Sequence, residues 1–179
     1  MANKKINKQG PSSKKKLLNK RPNGKVIQKP RDYYRFFIPF IIVITAIIFA
    51  NTLANDFIDN WDDNINVTNN EIIKHLNWSS LKEIFLDFRG TDYYRPLSVL
   101  TYAIEYKFFG LNPSAYHFTN YIIHILNAIL VYIFLKRFTA KPLVAAITSL
   151  FFAIHPMHVE SVAWISERKD VLYALGDFY

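Results

Sequence analysis

The sequence predicts an all-α integral membrane fold with about three transmembrane helices and the start of a fourth, and three apolar runs carry that prediction. Residues 36–53 are uncharged throughout, which as a helix covers about 27 Å against a hydrocarbon core of about 30 Å. A second run, residues 118–135, is closed by Lys136 and Arg137, with Lys141 just beyond. The third, residues 142–155, is short for a full crossing and stops at His155-Pro156. Lys141 can snorkel to the interface at one end of it, while the other end finishes in a protein-lined cavity.

Charge orients these spans. Hydrophobic residues make up 51% of the chain and aromatic residues 16%, high for a soluble domain, yet the net charge is +8. The excess sits in residues 1–35, which hold twelve Lys or Arg and one acid, Asp32, leaving the rest of the chain slightly acidic. Such a stretch has too few apolar residues to bury and is expected to be a disordered basic cytoplasmic tail, drawn to anionic lipid headgroups. A cleaved signal peptide is the rival reading of residues 36–53, but its basic region would be unusually long and no small-residue cleavage site follows before Asp56. Nucleic acid is the rival partner for the tail, and topology explains the basic residues without it. The cations between the second and third runs mark that turn as cytoplasmic. Outer loops then fall at residues 54–117 and 155–170. The absence of cysteine excludes disulfides and thiolate metal sites.

The first outer loop carries helix signals of its own. Ser80 and Glu83 have capping-box spacing, and Leu81, Ile84, Phe85 and Phe88 share one helical face, as in a short interfacial helix. Pro96 opens another helix, with Leu97, Leu100, Ile104 and Phe108 as its apolar stripe and Gly110 as its end.

Several groups could carry chemistry. Asp62 and Asp63 follow Trp61 beyond the first span. Adjacent carboxylates can divide labour, one accepting a proton while the other orients a donor or holds a divalent cation, although such pairs also serve as plain solvated turns. His155, His158 and Glu160 offer metal-ligand types, but Pro156 removes the helical i, i+4 geometry of a zinc motif, and capping of helix ends is the plainer role. His117, Asn120, His124 and Asn127 lie along one helix face, where interhelical hydrogen bonding is favoured over a substrate role. Asn66-Val67-Thr68 and Asn77-Trp78-Ser79 fit the glycosylation acceptor pattern, which matches often by chance.

Taken in order, these segments resemble the membrane glycosyltransferases with tetratricopeptide repeats, related to the O-mannosyltransferases of the GT-C superfamily. The matching residues are Trp61-Asp62-Asp63, then Tyr93-Tyr94-Arg95-Pro96-Leu97, then Phe109-Gly110-Leu111-Asn112-Pro113 with His117, Asn120, His124 and Asn127-Ala128. The longest match runs from His155 through Trp164 and continues as Glu167-Arg168-Lys169-Asp170-Val171-Leu172. The resemblance implies a GT-C-like transmembrane domain over residues 36–179. It also implies transfer of a sugar, mannose in the best-known relatives, from a polyprenyl-phosphate carrier to a protein Ser/Thr hydroxyl on the non-cytoplasmic face. Asp63 or Asp62 would be the catalytic base. Arg95, Arg168 and Lys169 would stabilise the departing phosphate, with His158 and Glu160 in support. The membrane would be a bacterial inner membrane or the endoplasmic reticulum, and a divalent cation is left open as a cofactor.

The family is expected to continue through further membrane helices and repeats of about 34 residues, and Gly176-Asp177-Phe178-Tyr179 departs from the apolar helix expected there. The domain is therefore expected to be incomplete. The alternatives are a non-enzymatic membrane subunit or inactive remnant that pairs with a partner, and a divalent-metal transporter, which three spans without internal acids serve poorly.

Overall fold

A computed structural model describes residues 32–86 and 94–176. The basic tail up to residue 31, Phe88 of the first interfacial stripe, Tyr93 and the terminal Asp177-Phe178-Tyr179 lie outside the described residues. The chain divides between Asp32 and Tyr33, and the fold below is that of the second part.

Among the described residues every regular element is helical. Two helical segments are long and apolar enough to cross a membrane, at residues Tyr34–Ala54 and Pro113–Thr139. The first contains α1 (Phe37–Phe49). Four elements follow in the first loop region: a π-helical turn at Asn64–Thr68, α2 (Glu71–Lys74), α3 (Trp78–Leu86) and α4 (Pro96–Phe109). The second long helix is α5 (Pro113–Thr139). It is followed by α6 (Pro142–Ile154), α7 (His158–Ala163), a 3-10 turn at Ile165–Glu167, and α8 (Arg168–Gly176).

The third expected span is apolar but short, as its sequence suggests. Helix α6 has 13 residues, about 20 Å at 1.5 Å per residue, well short of about 30 Å. His155 ends it with extended backbone ahead of Pro156, whose ring disfavours a helical predecessor.

Helices α1, α5 and α6 pack through small residues. Ala128 of α5 meets Ala145, Ala146 and Ala153 of α6, together with Ile41 of α1 and Tyr132. Without Cγ atoms in the way the backbones approach closely enough for the Ser149 hydroxyl to donate to the Ala128 carbonyl at 2.6 Å. The outward faces of the same helices carry Phe40, Ile47, Phe118, Phe134, Leu143 and Phe151, all exposed.

A second cluster joins the loop helices to this bundle. Val67, Ile73, Ile84, Tyr102, Ala103, Tyr116 and Ile165 bury one another. Pro96 does open α4, and Gly110 ends it at φ 60°, ψ −143°, a conformation reserved for glycine. Most of the α4 stripe faces outward: Leu97, Ile104 and Phe108 are exposed, Leu100 packs partly against this cluster, and Ser98, Tyr102 and Glu105 are buried. The cap of α3 is Asn77, whose Oδ1 accepts from the Ser80 amide at 2.9 Å. Ser80 itself is buried inside the helix, so the helix starts three residues before the capping box expected at Ser80 and Glu83, with a simple asparagine cap in its place.

Candidate active site

Asp62 and Asp63 are neighbours in sequence with opposite surroundings. Asn60 turns the chain with φ 62°, a left-handed conformation that asparagine tolerates, and the helical turn entered at Asp62 continues into the π-helical turn. Adjacent helical residues point about 100° apart, so one carboxylate turns inward and the other outward. Asp63 is 0% exposed and Asp62 is exposed. The Asp63 carboxylate accepts from the Ile58 amide at 3.0 Å, the Ser166 amide at 3.0 Å and the Ser166 hydroxyl at 2.5 Å. It therefore ties residues 58–63 to the turn between α7 and α8. Trp61 and Trp164 pack beside this tie with ring centroids 5.3 Å apart.

Asp62 instead lines a cleft of about 560 Å³ with Tyr94, Arg95, Glu167, Lys169 and Tyr173. Lys169 pairs with Glu167, so the cleft holds two cations and two carboxylates. It adjoins an apolar pocket of about 270 Å³ that shares Tyr94, Arg95, Lys169 and Tyr173 and adds Pro96, Leu97 and Leu172. Three sequence-predicted residues, Asp62, Arg95 and Lys169, thus meet from three separate segments.

The other predicted residues lie elsewhere. Arg168 is fully buried. It donates to Asn120 Oδ1 at 2.7 Å, Thr101 Oγ1 at 3.0 Å, the Tyr116 carbonyl at 2.8 Å and Glu105 Oε2 at 2.5 Å. Its guanidinium also stacks 4.4 Å from the Tyr102 ring centroid. These partners join α4, α5 and α8 and make Arg168 a core residue. Burial holds the Glu105 carboxyl above the usual carboxylate range, and Arg168 opposes that rise. Burial likewise raises the Tyr102 phenol.

His158 packs on Phe152, 4.5 Å between centroids, and near His124 at 5.4 Å. Burial, with His155 adding repulsion, lowers its pKa. It belongs to a separate pocket of about 240 Å³ with Ser161 and Asp170. Glu160 is exposed on α7. His155 Nδ1 accepts from the Met157 amide at 3.2 Å, a turn-capping role. Among the described residues no group of three or more His, Asp or Glu side chains is arranged to hold a metal ion.

On α5, Asn120, His124 and Asn127 bond the Trp164, Ala153 and Val171 carbonyls at 3.0, 2.9 and 2.8 Å. Three of the four stripe residues thus tie α5 to neighbouring segments, as their spacing suggests; the fourth, His117, is buried without such a carbonyl bond among the described residues. The sequence reading missed Ser166, Asn66, Glu167 and Tyr173. Glu167 lies within the long motif, and the sequence pattern marks Asn66 only as a glycosylation acceptor. Buried at 5% exposure, its amide instead donates to Ser166 Oγ at 3.1 Å.

The chain is similar to protein O-mannosyl-transferase TMTC2 of Mus musculus, 32% identical over 69% of this chain and 15% of that protein. It is similar to TMTC3 of Homo sapiens, 33% identical over 77% of this chain and 16% of that protein. With TMTC1 of Homo sapiens it shares 42% identity over 46% of this chain and 9% of that protein. The matched region spans about one sixth or less of the length of these curated relatives. No protein-family model and no solved structure matches.

Proposed function

This chain is related to the protein O-mannosyl-transferases, and from that premise we propose that it forms part of the active site of a GT-C-type membrane glycosyltransferase. Its reaction is transfer of mannose from a polyprenyl-phosphate carrier to a protein Ser/Thr hydroxyl. The observation that supports this reading best is the cleft in which Asp62, Arg95 and Lys169 meet.

Asp62 is the general base: it takes the proton from the acceptor hydroxyl as that oxygen bonds to the anomeric carbon. The bond from that carbon to the phosphate oxygen breaks with inversion, and polyprenyl phosphate leaves with the electron pair. Arg95 and Lys169 receive the growing negative charge, Arg95 by its planar fork and Lys169 by moving off Glu167. The adjoining pocket with Pro96, Leu97 and Leu172 suits the first isoprene units. Asp63 is a positioning residue that holds the first loop against the second.

The long helices lie in the membrane with their exposed apolar faces toward lipid. The basic segment 1–35 and the turn with Lys136, Arg137 and Lys141 are cytoplasmic, and the cleft opens on the opposite side. The chain lacks native cysteine, so Asn64→Cys should label from outside and Ala140→Cys from the cytoplasm; the reverse pattern removes this orientation.

Membranes carrying the protein, incubated with radiolabelled polyprenyl-phosphate mannose and a Ser/Thr peptide, are expected to mannosylate the peptide. Transfer from a nucleotide-activated mannose with no lipid carrier would contradict the proposed donor. A second reading, a membrane subunit without activity of its own, draws on the outward apolar stripe of α4 as a surface for another helix.

A further inference from the structure

We propose that Asn66 and Ser166 form a hydrogen-bond relay that aims Arg95 at the phosphate of the carrier. The relay has three links, all donating in one direction. Arg95 Nη2 donates to Asn66 Oδ1 at 2.6 Å, Asn66 Nδ2 donates to Ser166 Oγ at 3.1 Å, and the Ser166 hydroxyl donates to Asp63 Oδ1 at 2.5 Å. A cation and a carboxylate thus terminate a chain whose middle members are 5% and 0% exposed.

The order of atoms leaves no freedom in the Asn66 amide. Its nitrogen must face Ser166, because the hydroxyl proton is already committed to Asp63. Its oxygen is thereby turned to Arg95. Hydrogen bonds aligned in series polarise one another, so the negative end at Asp63 strengthens the hold on Arg95 at the other end. A free arginine side chain samples many rotamers, and holding one of them costs entropy. Fixing it before the ligand arrives removes that cost from binding, which is preorganisation in the ordinary sense. Two features make the fixture stiff. Asp63 is also held by the Ile58 and Ser166 amides, and the Asn66 carbonyl accepts from Asn70 Nδ2 at 3.1 Å.

The chain of contacts also couples the two halves of the proposed chemistry. Asp63 directly follows the base Asp62, and Arg95 and Lys169 flank the cleft into which Asp62 opens. Anything that shifts the turn bearing Ser166 moves the base loop and the phosphate cation together. Asn66 and Ser166 are accordingly positioning residues.

This inference rests on the carrier reading of the cleft, and binding of a short carrier analogue tests the two separately. The Trp61–Trp164 pair beside Asp63 supplies a native fluorescence reporter. Farnesyl phosphate and farnesol would be titrated into the protein in detergent. The wild type is expected to bind the phosphate more tightly than the alcohol. Asn66→Leu and Ser166→Ala are expected to weaken farnesyl phosphate about tenfold, the size of one oriented charge-assisted hydrogen bond, and to leave farnesol unchanged. Ser166→Thr, which retains the hydroxyl, keeps most of the affinity. Arg95→Gln weakens the phosphate similarly, and adding Asn66→Leu to it has no further effect. Should Asn66→Leu or Ser166→Ala unfold the protein, the near-isosteric Asn66→Asp serves: its carboxylate pairs with Arg95 and again weakens the phosphate selectively. If Arg95→Gln weakens farnesyl phosphate while the Asn66 and Ser166 variants bind like wild type, the relay is wrong and the carrier reading stands. If the wild type does not distinguish phosphate from alcohol, both fall.

Discussion

Ser166 donates twice to one oxygen of Asp63, from its amide at 3.0 Å and its hydroxyl at 2.5 Å, across 103 positions of sequence. With the Ile58 amide on the other oxygen, Asp63 is an acceptor whose removal strands three donors. Asp63→Ala is therefore expected to destabilise the fold by about 3 kcal/mol and to lower the thermal midpoint in detergent. Asp62→Ala, at an exposed site, should leave that midpoint within about a degree, since surface changes stay within about 0.5 kcal/mol. Equal losses in the two variants would contradict the division of labour between the two residues.

The buried Arg168–Glu105 pair gives a second expectation. Arg168→Leu leaves Glu105 buried without its cation and should cost about 3–5 kcal/mol. The double variant Arg168→Leu/Glu105→Leu removes both charges and should recover much of that loss. A double variant as unstable as the single one would show that Arg168 acts through its hydrogen bonds to Asn120, Thr101 and the Tyr116 carbonyl and its packing on Tyr102 rather than through pairing with Glu105. The comparison is read from chemical unfolding of the purified protein.

His158 predicts a pH effect. Burial lowers its folded pKa below the ordinary 6.5, so between the folded value and 6.5 the unfolded chain binds more protons. Stability then rises with pH across that window and is lost as pH falls through it. Thermal midpoints measured at pH 7.5 and pH 5.5 should differ less in His158→Gln than in wild type. An unchanged difference would place the acid sensitivity elsewhere.

Much of this architecture is legible in the sequence where the signal is local. An uncharged run of span length, cations at Lys136 and Arg137, Pro96 at a helix start and Gly110 at its end each act through neighbours within a turn or two. The short third helix was legible too, since the distance from Pro142 to Pro156 sets its length. What the sequence hides is which of two adjacent carboxylates faces inward, because Asp63 is chosen by Ser166, far along the chain. Arg168 and Lys169 pose the same problem. Both are cations in one motif, yet α8 turns one into the core against Glu105 and Asn120 and the other onto the cleft. Charge alone carries no information about direction. Asn66 was obscured by its place in an acceptor triplet, a pattern that takes no account of burial.

The most direct test of the account compares Asp62→Asn with Asp63→Glu in mannosyl transfer by reconstituted membranes. Asp62→Asn is expected to lower the rate by at least about a hundredfold, the usual contribution of a general base, with the thermal midpoint of wild type and farnesyl phosphate bound at least as tightly, since a negative charge has left the cleft. Asp63→Glu, which retains an acceptor but displaces it, should lose stability before it loses chemistry. Full transfer by a folded Asp62→Asn protein would contradict the assignment of the base and the mechanism built on it.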